Sequence, residues 1–209
     1  MNIGILGSGN VGSTLGKAWA KRGHRILFSY SRDPKKLESL ATSAGPNTRA
    51  GTPAEAVQFG EVILFAPPWP AVDHALKAAG PLAGKILIDC TNPLTQDLSG
   101  LEIGHTTSAA EEIAKKTPGA RVVKAFNMIG AENMANPHFG AEQATMLICG
   151  DDAAAKTVIA RLTEELGFEA ADAGPLRAAR LLEPLAMLWI HLAYAQRMGT
   201  GIGFKLLRR

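Results

Sequence analysis

The sequence predicts an α/β fold built on a doubly wound, mainly parallel sheet. Two observations support this prediction. Short apolar runs alternate with segments of helical periodicity, and a G-x-G-x-x-G motif at residues 7–12 joins the first run to the first helix. Strands that alternate with helices pair in parallel, because each helix carries the chain back across one face of the sheet.

The glycine motif follows a predicted strand, Asn2–Leu6, and opens a helical segment. Gly7 permits a tight turn, Gly9 lets the backbone approach a pyrophosphate, and Gly12 lets the helix pack on the strand. Such turns also serve FAD, S-adenosylmethionine or plain packing, but this position between strand and helix favours a dinucleotide. The free N–H groups of the helix N-terminus would bind its phosphates. The expected contacts come from Gly7, Ser8, Gly9, Asn10, Val11 and Gly12.

The second strand, Arg25–Tyr30, ends where an NAD enzyme usually carries an acidic residue for the ribose. Here the chain continues with Ser31 and Arg32, and Lys35 and Lys36 follow. These side chains suit a phosphate rather than a hydroxyl group, and the guanidinium of Arg32 can hold a phosphate with two hydrogen bonds. The site is therefore predicted to prefer NADP(H).

Asp33 is interpreted as a helix N-cap rather than as the missing ribose acceptor, because proline follows it. The next predicted elements are a helix over Pro34–Ala44, a strand over Thr48–Ala50, a helix over Thr52–Phe59 capped by Thr52, and a strand over Glu61–Ala66.

The second half of the chain continues the alternation and adds strands. Its predicted elements are a helix over Ala71–Ala79, a strand over Lys85–Cys90, a helix over Ala109–Lys116, a strand over Arg121–Phe126, and further strands over Ala144–Cys149 and Phe168–Asp172. An amphipathic helix joins the last two strands, with Asp151 and Asp152 at its start and Gly167 as its C-terminal cap.

The last part of the chain is helical in pattern from Arg177 to Met198 and is apolar nearly all round at Leu185–Ile190. Flanking charges leave too few apolar residues for a membrane span. A helix without a polar face must be covered on several sides, so we expect a homodimer through it. Pro184 should kink this helix or mark a junction of two helices. The predicted division is a domain over 1–175 and a helical segment over 176–209 that contributes to the acceptor pocket and the dimer.

The composition describes an ordinary globular chain, since 46% of the residues are hydrophobic and 20% are charged. A net charge of +3 without a basic block argues against nucleic acid as a partner. Cys90 and Cys149 each end an apolar run and are expected as buried free thiols, and no metal site is expected. The first strand begins at once, so no targeting signal is expected and the predicted location is cytoplasmic.

Three loops should meet beyond the carboxyl ends of the strands, where ligands bind in such sheets. They are Pro67-Pro68-Trp69, Thr91-Asn92-Pro93 and Asn127-Met128-Ile129-Gly130-Ala131. All three lack Lys, Asp, Glu and His. Oxidation of an alcohol needs a group that moves a proton, so this composition favours hydride exchange between two redox cofactors. No catalytic acid or base is expected, and Lys124 inside the sixth strand is not given that role.

Several segments resemble the coenzyme F420-dependent NADP oxidoreductases and the reductase domains of STEAP-type metalloreductases. They include the glycine motif, Ser31-Arg32, Pro68-Trp69, Asp89-Cys90-Thr91-Asn92-Pro93-Leu94, Val123-Lys124-Ala125-Phe126-Asn127, Cys149-Gly150-Asp151-Asp152 and Asp172-Ala173-Gly174-Pro175-Leu176. The resemblance covers essentially the whole chain. It implies a Rossmann-type sheet with extra strands and a small helical C-terminal segment. It also implies hydride transfer between NADP(H) and a deazaflavin or flavin.

By this resemblance, Ser31, Arg32 and Lys36 would hold the extra phosphate of NADP(H). The nicotinamide and its acceptor would be lined by Asn92, Pro93, Asn127, Ile129 and Ala131, and we add Pro67 and Pro68 as cofactor contacts. Archaeal deazaflavin enzymes tend to carry histidine at the position of Asn127, so the acceptor stays open between coenzyme F420 and a flavin.

Two other functions remain open from the sequence. One is NADPH-dependent reduction of an imine or carbonyl, although relatives of that kind carry a longer helical tail. The other is a redox sensor that binds NADP(H) without turnover.

Overall fold

Strands and helices alternate through most of the structure, a computed structural model that describes residues 1–31 and 33–209. The strands are β1 (Asn2–Leu6), β2 (Arg25–Ser29), β3 (Thr48–Ala50), β4 (Val62–Phe65), β5 (Ile86–Asp89), β6 (Arg121–Lys124), β7 (His138–Phe139), β8 (Glu142–Gln143), β9 (Thr145–Gly150) and β10 (Glu169–Asp172). The helices are α1 (Asn10–Lys21), α2 (Pro34–Ala44), α3 (Pro53–Phe59), α4 (Val72–Ala79), α5 (Ala109–Lys116), α6 (Ala153–Glu164) and α7 (Ala179–Ile190).

The main sheet has the strand order β3-β2-β1-β4-β5-β6-β9-β10. Strands β1 to β6 pair in parallel, in the order of dinucleotide-binding sheets. Strand β9 runs antiparallel to β6, and β10 runs parallel to β9. Strands β7 and β8 form a separate hairpin. The predicted Rossmann-type α/β fold, with a mainly parallel sheet and extra strands, is confirmed.

Helix starts follow the capping residues that the sequence indicates. The carboxylate of Asp33 accepts hydrogen bonds from the backbone N–H groups of Lys35 (2.9 Å) and Lys36 (3.3 Å). Thr52 and Glu55 form a reciprocal capping box at α3, and the Asp152 carboxylate accepts the N–H of Ala155 at 2.7 Å. The N-cap interpretation of Asp33 is thereby confirmed.

Both faces of the sheet are buried against helices. Along β1 and β2, Ile3 and Phe28 belong to the cluster that packs with α1, whereas Leu6 and Leu27 belong to the cluster on the opposite face. This alternation follows from the two-residue repeat of a strand. The indole of Trp19 is buried and donates to the backbone carbonyl of Leu162 at 3.0 Å, which ties α1 to α6.

The cysteines agree with the prediction of buried free thiols. Cys90 and Cys149 are both free and buried. Burial raises the pKa of the Cys149 thiol to about 12, so it stays protonated at neutral pH. In the part of the chain that the structure describes, no helix is both long enough and apolar enough to cross a membrane.

The C-terminal segment differs from expectation in two respects. Helix α7 continues through Pro184, so the predicted junction of two helices is wrong, and the alternative of a kink at Pro184 stays a prediction. Proline lacks one N–H donor, but packing of α7 against both core clusters keeps the helix continuous. A π-helical turn over His191–Ala195 ends the helical part, and residues 196–209 contain neither helix nor strand. The division at residues 175 and 176 stays a prediction.

Candidate functional site

The glycine turn between β1 and α1 has the local geometry that a dinucleotide needs. Gly7 has a φ of +108°, and a Cβ atom there would lie 2.6 Å from the backbone of Ala66. A Cβ atom on Gly12 would lie 2.0 Å from the carbonyl oxygen of Gly7, so only glycine lets α1 pack this closely. At Gly9 an added Cβ atom would meet nothing within 4 Å. The turn is therefore closed toward the protein and open above Gly9.

The N-terminus of α1 lacks a side-chain cap. Gly9 is its N-cap and offers no acceptor, whereas side chains cap α2, α3, α5 and α6. The first-turn N–H groups of α1 belong to Asn10, Val11 and Gly12 and face the open side of the turn, where a helix N-terminus attracts anions. This arrangement fits the pyrophosphate of a dinucleotide.

A cleft of about 730 Å³ extends from this turn along the carboxyl ends of β1, β2 and β4. Of the predicted contacts, Gly7, Ser8, Gly9, Ser31, Lys36 and Pro68 line it. An adjoining hollow of about 220 Å³ shares Ser8, Gly9, Ser31 and Lys36 and adds Asn10. Arg32, the predicted phosphate ligand, lies outside the described residues. The structure thus brings together the glycine turn and two of the three residues predicted for the extra phosphate.

Two aromatic residues turn the chain sharply at the ends of β2 and β6. Tyr30 and Phe126 each have a φ of 58°, which is uncommon for residues other than glycine. Each such residue costs about 1–3 kcal/mol and persists only where its surroundings hold it. Phe126 is fully buried, and the hydroxyl of Tyr30 hydrogen-bonds with Nδ1 of His74 at 2.9 Å. These turns end both strands before the predicted boundaries and place Ser31 and Asn127 at the edge of the sheet.

The loops after β5 and β6 are joined by a pair of asparagines. The side-chain amide of Asn92 donates to the backbone carbonyl of Asn127 at 2.8 Å. The side-chain amide of Asn127 donates to Oδ1 of Asn92 at 3.0 Å and to the carbonyl of Leu182 in α7 at 3.0 Å. Oδ1 of Asn127 is buried and has no hydrogen-bond partner among the described groups.

The remaining predicted contacts follow the carboxyl ends of β4, β5 and β6. Pro67, Pro93 and Ile129 are buried, and Ala131 begins a one-turn 3₁₀ helix that packs against α1. None of Asn92, Pro93, Asn127, Ile129 and Ala131 is among the described residues that line the 730 Å³ cleft. Their assignment to the nicotinamide stays a prediction.

Beneath the asparagine pair lies a buried ion cluster of Lys124, Asp89 and Glu183. The ammonium of Lys124 lies 2.9 Å from Oδ2 of Asp89 and 2.8 Å from Oε1 of Glu183, and it also donates to the carbonyl of Thr91. Burial opposes the charged form, yet the two carboxylates raise the pKa of Lys124 above its ordinary value. Burial also raises the pKa of Glu183, against the opposing effect of Lys124. Removing one member of such a buried pair costs about 3–5 kcal/mol.

Reasoning from the sequence missed this cluster, although each member carries a signal. Lys124, Asp89 and Glu183 each interrupt an otherwise apolar run. A charged residue that is fully buried almost always has a charged or hydrogen-bonding partner. Charges of opposite sign within apolar runs could therefore have predicted a buried pair, but not which residues form it.

Comparison with known proteins identifies the family of this chain. The family model described as NADP oxidoreductase coenzyme F420-dependent matches residues 2–93. The crystal structure of a candidate F420-dependent NADP reductase from Arthrobacter sp. FB24 superposes with a TM-score of 0.89, at 32% identity and over 99% of each chain. The chain belongs to the coenzyme F420-dependent NADP oxidoreductase family. It is therefore an NADP-dependent oxidoreductase by family.

Two curated relatives fit the same assignment. The F420-dependent NADP reductase of Methanocaldococcus jannaschii is 29% identical over an alignment of 222 positions, which covers 97% of each protein. Metalloreductase STEAP3 of Rattus norvegicus is 36% identical over 189 residues, which span 89% of this chain and 37% of that protein. The chain thus spans about a third of the length of the metalloreductase, so only that part of STEAP3 is comparable with this family member.

Gly9 and Gly12 of the turn give a matched pair of substitutions. Gly9→Ala places a methyl group in open space where the pyrophosphate is predicted, so we expect the thermal unfolding midpoint to be nearly unchanged and the Kd for NADPH to rise about tenfold or more. Gly12→Ala forces a methyl group against the Gly7 carbonyl, so we expect a loss of about 1–3 kcal/mol of stability. Calorimetric titration and thermal denaturation measure both effects. Unaltered NADPH affinity in Gly9→Ala would contradict the assignment of the turn.

Proposed function

We propose that this family member transfers a hydride between NADPH and a deazaflavin of the coenzyme F420 type. NADPH supplies the hydride, the acceptor ring receives it, and water supplies the further proton that the reduced acceptor takes up. The observation that carries the proposal is the composition of the three segments that follow β4, β5 and β6. They are Pro67-Pro68-Trp69, Thr91-Asn92-Pro93 and Asn127-Met128-Ile129-Gly130-Ala131, and none of them contains Lys, Asp, Glu or His.

The buried ion cluster strengthens this argument, because it engages Lys124, the lysine that ends β6 just before Asn127. The ammonium of Lys124 has three donors, and three protein acceptors occupy them. Its side chain is fully buried, and its raised pKa disfavours release of a proton. Reduction of an imine or carbonyl needs a proton donor beside the substrate, whereas exchange between two rings mainly needs them held at a reactive distance.

NADP(H) would be held by residues that line the cleft, by Arg32, and by residues beyond β5 and β6. The first turn of α1 would bind the pyrophosphate, and Ser31 and Lys36 would bind the extra phosphate together with Arg32. The residues beyond β5 and β6 would bind the nicotinamide. In this proposal the chain holds and orients the dinucleotide, and none of its side chains moves a proton.

We propose a deazaflavin rather than a flavin because of the relatives that match this chain over nearly their full length. The proteins from M. jannaschii and Arthrobacter sp. FB24 bear names that specify F420, and their similarity extends over 97% and 99% of this chain. The metalloreductase is similar over only part of its own length.

The acceptor is tested by following the absorbance of reduced nicotinamide under anaerobic conditions. We expect NADPH to be oxidised about tenfold faster or more with F420 than with FMN or FAD, and not with a cyclic imine or a ketone. Faster turnover with a flavin would move the assignment to the flavin branch, and turnover of the imine would favour the imine reductase alternative. Tight NADPH binding without oxidation by any acceptor would indicate a redox sensor.

The preference for NADP(H) is tested with adjacent lysines. Lys36 lines the cleft, so Lys36→Ala should raise the Kd for NADPH about tenfold through loss of a charge-assisted hydrogen bond, with the Kd for NADH nearly unchanged. Arg32→Ala should raise the Kd for NADPH by about 10²-fold, because two such bonds are lost. Lys35→Ala removes the same charge one position earlier and serves as the control, because Lys36 lines the cleft and the adjoining hollow whereas Lys35 is not among the described residues that line either. Equal losses for NADPH and NADH would refute the phosphate assignment.

We also propose that the protein is a homodimer through α7. One face of α7 and the turn after it is buried in the protein through Leu182, Ala186, Trp189 and Ala193. The adjacent face, about 100° around the helix, carries an apolar stripe at helical spacing. The stripe consists of Leu181, Leu185, Leu188 and Leu192. Leu181 is 73% exposed and Leu188 is 46% exposed, and the other two are half-buried. A leucine stripe with this spacing is typical of helices that pair with a second helix.

A charge placed in the stripe tests the dimer. We expect the wild-type protein to have twice the chain mass by light scattering at micromolar concentration, and Leu188→Glu to have the mass of one chain, because two buried carboxylates would repel each other. Leu207→Glu is the control, since Leu207 is 79% exposed in the C-terminal segment and lies outside the stripe. A wild-type monomer would contradict the proposal.

A further inference from the structure

We propose that Lys124 and Glu183 are positioning residues that hold the loops after β5 and β6 in register with α7, so that binding of the nicotinamide half of NADP(H) depends on them. This inference rests on the proposed function, because it takes the NADP(H) site as given. It gives a role to the cluster of Lys124, Asp89 and Glu183, which takes no part in the proposed hydride transfer.

The first step is the fixed position of Thr91, which directly precedes Asn92. Oδ1 of Asp89 accepts the backbone N–H of Thr91 at 2.9 Å and its hydroxyl at 2.7 Å. Lys124 donates to the carbonyl of the same residue and to Oδ2 of Asp89. Both backbone groups of Thr91 are therefore held by the cluster, which leaves the start of the Asn92 loop little freedom.

The second step is the connection to α7. The carboxylate of Glu183 accepts the backbone N–H groups of Ala109 (2.9 Å) and Ala110 (3.2 Å) at the start of α5, and it also contacts Lys124. The carbonyl of the preceding residue, Leu182, accepts the side-chain amide of Asn127. One turn of α7 thus contacts both the ion cluster and the loop after β6.

The third step is the asparagine pair that these contacts align. Asn92 and Asn127 bind each other directly, and Oδ1 of Asn127 has no hydrogen-bond partner among the described groups although it is buried. Native structures rarely leave such an acceptor unpaired. The carboxamide of nicotinamide carries N–H donors of the kind that this oxygen lacks. We therefore expect the cluster to affect binding of the nicotinamide half of NADP(H). The adenosine half would be bound by β1, β2 and α1.

A second ion pair between the same two helices provides a matched control. The guanidinium of Arg180 in α7 donates to both carboxylate oxygens of Glu111 in α5, at 2.8 and 2.7 Å. Like Glu183, Arg180 links α7 to α5. Unlike Glu183, Arg180 contacts no member of the Lys124 and Asp89 cluster among the described groups.

The experiment compares Glu183→Gln and Thr91→Val with Arg180→Gln. Calorimetry measures the Kd for adenosine 2′,5′-bisphosphate, which represents the adenosine half, and the Kd for NADPH. Fluorescence of bound NADPH reports the surroundings of the nicotinamide. Thr91→Val keeps the side-chain volume and removes one hydrogen bond to Asp89, so it remains informative where Glu183→Gln is poorly folded.

We expect Glu183→Gln to raise the Kd for NADPH about tenfold and to lower the fluorescence of bound NADPH, with the bisphosphate Kd within twofold of wild type. Thr91→Val should change the same quantities in the same direction by about threefold, and Arg180→Gln should change neither. Affinities within twofold for both ligands, or equal losses for both, would overturn the inference. A wild-type protein that binds neither ligand would overturn the proposed function, and this inference with it.

Discussion

The parallel pairing of β1 to β6 is the constraint on which the site depends. Because these strands run in one direction, their carboxyl ends lie at the same edge of the sheet. The glycine turn, Ser31, the proline loop after β4, Asn92 and Asn127 are far apart in the sequence and meet at that edge. Backbone hydrogen bonds between central strands are rigid, so the site takes its geometry from the sheet rather than from flexible loops.

The buried charge of Lys124 at the end of β6 links the stability of the fold to the geometry of the candidate site. Strand β9 runs back antiparallel along β6 and pairs Cys149 with Lys124, so the lysine is enclosed and must find its partners inside the protein. Asp89 and Glu183 are those partners, and the N–H groups at the start of α5 offset the second carboxylate. These contacts stabilise the buried ammonium of Lys124, and they also hold the backbone next to Asn92.

Helix α7 combines two roles on its two sides. Its buried side contacts both core clusters, the loop after β6 through Leu182, and Lys124 and the start of α5 through Glu183. Its other side leaves leucines in contact with solvent. The nearly uniform apolar character of this helix therefore has two separate causes, packing within the chain and the stripe that we propose as an interface.

The sequence alone determined the strands of the main sheet, the helices between them and the cofactor class, because their signals are local. Apolar periodicity, caps such as Asp33 and Thr52, and glycines such as Gly7 act within a few residues, and the observed bounds of β1, α2, β3 and α5 match the predicted ones. Only the tertiary structure decided which charges meet and which asparagines pair. Lys124 and Asp89 are 35 positions apart, as are Asn92 and Asn127, and a pattern of residue types does not specify partners at that separation. The fold decides them, because desolvation forces each buried polar group to accept the partner that chain topology brings within hydrogen-bonding distance.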